Sequence, residues 1–440
     1  MPWGRFPFLG YNKAIMNHSI SEHTFASGLR LQLIDMPNAT SLDIRIFVCS
    51  GYGQAPRNKY EIPHLLEHML FSGNTDLPKA SDFTSAMEKV TAQWRGLTNY
   101  RHNYFTYSKS PAHLDRFFEL VKAQLLSPIF TEEGLKEQKG VITQELSKQL
   151  IGDAEQCSAE SLAFALPVLS PKIRIETLGT INLNDVITFH ARHFQPDNMS
   201  ICITGDISRS SKEIINILSS WEGKPSQINS ASYEPNEANR VRMAASTKPG
   251  RSFIQLDMLK SGFNPTDIPA IRVIQSIWHT SKSSRFYQAI RPLGYSYSPI
   301  VSVALTHSYL RVILIDSLSD EHVLDFIEAF IDEYRDIVQN GPTEPELENA
   351  KALLAEREAV NFATPQQLGE YYAEHWAMGD TPLTISEYTA AVQALSLEDI
   401  KRLGQSYLDN MHIVVRTGLE EAEKTQLQTS LEQLVRNKTT

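Results

Sequence analysis

Three side chains in Ile62-Pro-His-Leu-Leu-Glu-His-Met-Leu-Phe71 are suited to chemistry: His64, Glu67 and His68. Histidines four residues apart on a helix share a face, so both imidazoles can reach one ion. Glu67 falls between them angularly, where a carboxylate can act as general base toward a water. Two histidines at this spacing with the glutamate between them are a zinc arrangement. Catalytic zinc usually takes three protein ligands and keeps one position for water. Composition and periodicity do not single out that third ligand among the 51 acidic residues.

The element that must hold these groups is an amphipathic helix. Ile62, Leu65, Leu66 and Met69 recur at i, i+3, i+4 and i+7 and form the apolar stripe opposite the His/Glu face. Pro63 suits the first turn, where its missing N–H is harmless. Such a helix buries one side and presents the other to a cavity.

At 440 residues the chain is too long for one ordinary core. Its 41 basic and 51 acidic residues leave a net charge of −10, which argues against a nucleic-acid partner. Cys49, Cys157 and Cys202 form neither a CxxC pair nor a disulfide framework, as suits a reducing compartment, and the cytoplasm is expected. They read as ordinary buried small residues. Pro and Gly interrupt the apolar residues of the first segment, so no secretory leader is expected, and no run approaches the roughly 18 apolar residues of a membrane span.

The chain repeats itself once. LIDMPNATSLDIRIFVCSG ends at Ser50-Gly51, and AASTKPGRSFIQLDMLKSG ends at Ser261-Gly262. Thr131-Glu-Glu opens a helix containing Lys139, and Thr343-Glu-Pro opens one containing Lys351. Asp197-Asn198-Met199 precedes an apolar strand and Thr204-Gly205; Asp409-Asn410-Met411 precedes another and Thr417-Gly418. Three matches in one order, each about 212 residues apart, mark an internal duplication. Two related domains follow, 20–222 and 241–420, joined by a linker over 223–240 rich in Pro, Ser, Asn and Glu. Strands, then helices, then a closing strand predict an α+β fold, with a mostly antiparallel sheet and packed helices in each domain.

HLLEHMLFSGN, FHARHFQPDNMSICITGDI and SSRFYQAIRPLGYSYSP together make the chain resemble the pitrilysin, insulin-degrading enzyme and mitochondrial processing peptidase family of inverzincins over nearly its whole length. The resemblance implies a processing-peptidase-like fold, one zinc per chain and peptide-bond hydrolysis. It implies Glu145, in KGVITQELSKQ and 77 residues beyond His68, as the third metal ligand. Arg291 and Tyr297 map onto the second-domain pair that contacts substrate. The second half has no H-x-x-E-H, which fits a non-catalytic, substrate-contacting domain.

Three departures from the family pattern stand out. Seven residues before Glu145 the family often has glutamate; here stands Gln138, with Glu137 beside it as a supporting charge. The Gly-Gly-x-x-Asn-Ala strand edge becomes Ala92-Gln93-Trp94-Arg95-Gly96. The Arg291–Tyr297 spacing is one residue short, making Tyr295 a rival. The family's single-chain enzymes are about twice this length, so the resemblance implies a homodimer or a heterodimer with a related chain. The expected function is a zinc endopeptidase acting on unfolded or small precursor peptides. The alternative is a weakly catalytic or non-catalytic peptide-binding subunit, although such members of the family typically lose the metal residues.

Overall fold

The computed structural model describes residues 18–228, 240–262, 264–296, 299–305, 309–405 and 410–436. The first sheet contains β1 (Ser19–Thr24), β2 (Arg30–Asp35), β3 (Leu42–Val48), β4 (Gln93–Thr98), β5 (Asn103–Lys109) and β6 (Met199–Gly205), in the order β1-β2-β6-β3-β5-β4. The second contains β7 (Arg240–Ala245), β8 (Arg251–Ser261), β9 (Ile300–Leu305), β10 (Tyr309–Ser319) and β11 (Asn410–Thr417), in the order β7-β11-β8-β10-β9. Leaving out β1, the two orders are the same. The β2–β6 and β7–β11 pairs are parallel and the other pairs antiparallel. The duplication seen in the sequence is therefore one topology used twice in an α+β fold, with an apolar core beneath each sheet.

The helices that concern the site are α1 (Ile62–Met69), α2 (Glu132–Lys148), α3 (Asp153–Ala165), α4 (Pro171–Thr180) and α5 (Pro365–Ala377). Central strands are buried on both faces: every residue of β6 is buried, as are six of the seven in β3. That is why they read as near-continuous apolar runs. In β8 even Gln255 and Asp257 are buried, because α3 covers their face. Asp257 takes hydrogen bonds from Ser161 of α3 and from Arg311.

The compact units are discontinuous in sequence. The first holds 1–146, 172–232 and 358–382; the second holds 147–171, 233–357 and 383–440. The boundaries drawn from the sequence kept each half whole, whereas each half lends one helix to the other's sheet. Polar anchors explain the exchange. In the second unit, α3 packs on β8 and β11, and Arg416 of β11 binds Asp153 at 3.2 Å and Glu160 at 2.8 Å. In the first unit, α5 packs on β3 and β6. Arg45 donates to the Gln366 carbonyl at 2.8 Å, and Arg30 donates to the Ala377 carbonyl at the C-terminus of α5, where a cation meets the negative end of the helix dipole. A Cβ on Gly369 would lie 2.4 Å from Asp43 Oδ2, so only glycine lets α5 approach β3 this closely.

Candidate metal centre

Helix α1 forms as its pattern predicts. Ile62, Leu65, Leu66 and Met69 are buried in the first core, and Pro63 is in the first turn. His64 and His68 emerge on the other face with ring centroids 4.8 Å apart and planes at 84°. Helix α2 brings in Glu145, whose Oε2 is 3.6 Å from His64 Nε2 and 3.7 Å from His68 Nε2. One ligand atom from each of the three lies within 4.8 Å of the others.

The second ring nitrogens are also engaged. His64 Nδ1 lies 3.1 Å from Glu61 Oε2, and His68 Nδ1 lies 3.2 Å from Gln138 Oε1. Both partners are acceptors, so each Nδ1 carries the proton and each Nε2 turns its lone pair toward Glu145. This is the tautomer a metal needs, held in the way ligand histidines are generally held. Burial, and next the neighbouring His64, hold His68 below the usual histidine range. Two imidazoles and a carboxylate form a donor set that fits zinc and leaves a coordination position open.

Glu61 is fully buried. Burial alone would raise its carboxyl, but hydrogen bonds from His64 and Arg174 carry it below the usual range. Arg174, on α4, donates to Glu61 through Nε at 2.5 Å and through Nη2 at 3.2 Å. It also donates to the Tyr52 hydroxyl at 2.6 Å and lies over that ring at 4.8 Å. Tyr52 in turn stacks on Tyr60.

Glu67 is 8% exposed. Its Oε2 accepts from the Thr98 hydroxyl at 2.5 Å. Thr98 accepts from Asn103 Nδ2 at 2.7 Å, and Asn103 is tied to the Pro63 carbonyl and the Ser50 hydroxyl. Burial lifts the Glu67 carboxyl above the usual carboxylate range, against the pull of Thr98 and His64. Strand β4 passes directly over it: a Cβ on Gly96 would lie 2.7 Å from Glu67 Oε1. Gly96 thus seats the carboxylate, a role its place in the altered Ala92–Gly96 segment did not reveal.

The other expected residues fall out as follows. Gln138, not Glu137, touches His68; Glu137 is exposed one position along α2. Arg291 is exposed in the second unit. Tyr295, in the same unit, stacks on His322 at 4.1 Å and donates to Asp325 at 3.3 Å. Tyr297 lies outside the described residues. Sequence reasoning missed Glu61, Arg174, Thr98 and Asn103. Of these only Glu61, three residues before His64, carried a local signal.

A family model described as Insulinase (Peptidase family M16) matches residues 30–162, and one described as Peptidase M16 inactive domain matches residues 180–354. The uncharacterized zinc protease YmxG of Bacillus subtilis is 22% identical over 344 residues, covering 76% of this chain and 82% of that protein. Insulin-degrading enzyme of Homo sapiens is 22% identical over 195 residues, covering 41% of this chain and 19% of the enzyme. The crystal structure of a protease from Helicobacter pylori has a TM-score of 0.80 at 16% identity, covering 91% of this chain and 99% of that one. A peptidase M16 inactive domain from Pseudomonas fluorescens has a TM-score of 0.77 at 18% identity, covering 91% and 98%.

Proposed function

Since this chain belongs to the M16 (insulinase) peptidase family, we propose that it is a zinc-dependent endopeptidase acting on unfolded or small precursor peptides. The observation that carries the reading is the convergence of His64 Nε2, His68 Nε2 and Glu145 Oε2 beside a buried, hydrogen-bonded Glu67. Zinc held by those three residues would supply Lewis-acid polarisation and a water whose pKa falls to roughly 7.

The chain's own groups account for the remaining work. Glu67, lifted by burial, takes the proton of the attacking water and delivers it to the leaving amine nitrogen. Thr98, Asn103 and Gly96 hold it in register. Strand β4 pairs only with β5 among the described strands, so its outer edge can bind an extended peptide through the backbone and lay a carbonyl over Glu67. A substrate bound this way must be extended over the site, which is the basis for proposing an unfolded one. Arg291 and Tyr297, with Tyr295 as the rival tyrosine, are proposed as substrate contacts from the second domain. Assembly with a second copy or a related chain is proposed as the means of enclosing the peptide, and the cytoplasm as the location, consistent with three free thiols.

A non-catalytic peptide-binding subunit would need neither a third ligand nor a seated base, so the intact set favours catalysis. The test is peptide hydrolysis by the zinc-loaded chain and by its Glu67→Gln variant. Turnover that stops with the variant, while zinc stays bound, supports the reading; equal turnover refutes it.

A further inference from the structure

A second cavity, of about 700 Å³, lies within the first unit, between the segment leading into α1 and the helix Leu183–His193. That volume is within the range that encloses a small ligand. None of His64, Glu67, His68 and Glu145 lines it. Ile62 and Phe189 give it apolar wall, and Lys59, Asp185, Arg192 and His193 give it charged and titratable groups. Asp185 is already committed: it pairs with Lys59 and accepts from the Asn182 N–H at the start of its own helix. Arg192 is exposed and has no ion-pair partner among the described residues. Lys59 and Arg192 against Asp185 leave the lining with an excess positive charge, on a chain whose net charge is −10.

His193 carries the argument. It is 3% exposed, and its ring packs on Phe189 with centroids 4.3 Å apart. Burial, then Arg192, holds it down to about 4, so the ring is neutral near pH 7. The ring hydrogen-bonds to the Cys49 backbone, yet its Nδ1 is buried with no hydrogen-bond partner. The donor to the Cys49 carbonyl is therefore Nε2, and Nδ1 holds a lone pair. Buried polar atoms are nearly always paired, so this one calls for a partner. The last turn of a helix accounts for a cation at Arg192. It does not account for an unpaired acceptor on a residue that lines a cavity.

A ligand that satisfies this lining has a permanent N–H or O–H donor, an anion close to it and an apolar body. We propose that the cavity binds the carboxy-terminal residue of a peptide. Its carboxylate would pair with Arg192, whose planar fork matches that group. Its amide N–H would donate to His193 Nδ1, and its side chain would lie along Phe189 and Ile62. The N–H and the carboxylate of a terminal residue flank one Cα, so a single residue supplies both. A phosphate monoester supplies the anion, but its doubly ionised form has no donor for Nδ1. The assignment does not depend on peptide hydrolysis.

The experiment is calorimetric titration of the full chain, zinc-loaded and zinc-free, with acetyl-glycyl-leucine. The controls are its terminal amide, the depsipeptide with oxygen in place of the leucine N–H, and inorganic phosphate. The free acid should bind equally well with and without zinc. The amide and the depsipeptide should each bind about tenfold more weakly. Arg192→Gln should weaken the acid about tenfold and leave the amide unchanged. His193→Phe should abolish the difference between acid and depsipeptide; should that buried substitution prevent folding, the depsipeptide comparison in the wild type carries the test. The assignment is overturned by no binding of the acid at millimolar concentration, by an amide or depsipeptide that binds as tightly, by phosphate that binds as tightly, or by unchanged affinity in Arg192→Gln. Binding that disappears when zinc is removed also overturns it, because the acid would then sit at the metal. The peptidase reading fails separately, through peptide hydrolysis by the zinc-loaded chain.

Discussion

His64 Nδ1 lies 3.1 Å from the Oε2 of Glu61, a carboxylate with no exposure to solvent that Arg174 grips through two nitrogens. The contact sets the ring's tautomer and its direction together. It also explains how a fully buried acid is tolerated. The charge is matched by a guanidinium and the proton of an imidazole, not left alone in a low dielectric.

Removing Glu61 should therefore act on the metal. Glu61→Gln, which keeps an acceptor but loses the charge, should weaken zinc binding about 10- to 100-fold. Arg174→Ala should weaken it as well and cost about 3 to 5 kcal/mol of stability, because a buried carboxylate is left unpaired. Competition with a chromogenic chelator measures the first, and urea unfolding the second. Wild-type zinc affinity in Glu61→Gln would remove Glu61 from the site.

The closeness of Gly96 to Glu67 gives a separate test. Gly96→Ala should push the carboxylate aside and lower kcat by about 100-fold, since small misplacements of a reacting group carry such penalties. Zinc content should not change, because the ligands lie elsewhere. A fall in zinc with kcat per bound metal intact would contradict the seating role.

Glu67→Gln should keep the metal and lower turnover by about 100- to 10,000-fold, the usual contribution of a general base. Thr98→Val removes a hydrogen bond that pulls the Glu67 carboxyl down. The acid limb of the rate profile should then move to higher pH. An acid limb that stays put would show that Thr98 does not tune the base.

Stability should fall in acid for reasons outside the site. Burial, then Arg101, holds His102 down to about 4, and burial, then Arg192, holds His193 down to about 4. Each ring has a buried Nδ1 without a hydrogen-bond partner. A histidine whose folded value lies below its unfolded one contributes stability above about 6.5, and loses it as pH falls toward 4. Each should cost about 1.5 kcal/mol between pH 6.5 and pH 5. Urea unfolding of zinc-free protein at the two values measures this, and a flat response would contradict it.

What the sequence made legible follows physical lines. His64, Glu67 and His68 stood out because helical spacing and an apolar stripe are local signals. The duplication stood out because strands and turns recur in order, and the two sheets share one topology. Glu145 came only from resemblance, since a glutamate on a helix is usually solvated. Arg174 and Thr98 reach the site from other elements through hydrogen bonds that no spacing announces. The exchange of α3 and α5 was hidden for the same reason: Asp153 with Arg416, and Arg30 with the Ala377 carbonyl, are pairs far apart in the chain.

Zinc stoichiometry of the purified full chain, measured by elemental analysis after zinc loading and removal of excess, bears most directly on the centre. About one zinc per chain is expected in the wild type and in Glu67→Gln, and strongly reduced zinc in His64→Ala and Glu145→Gln. A wild-type chain that holds no zinc, or a Glu145→Gln chain that holds it as firmly as the wild type, would contradict it.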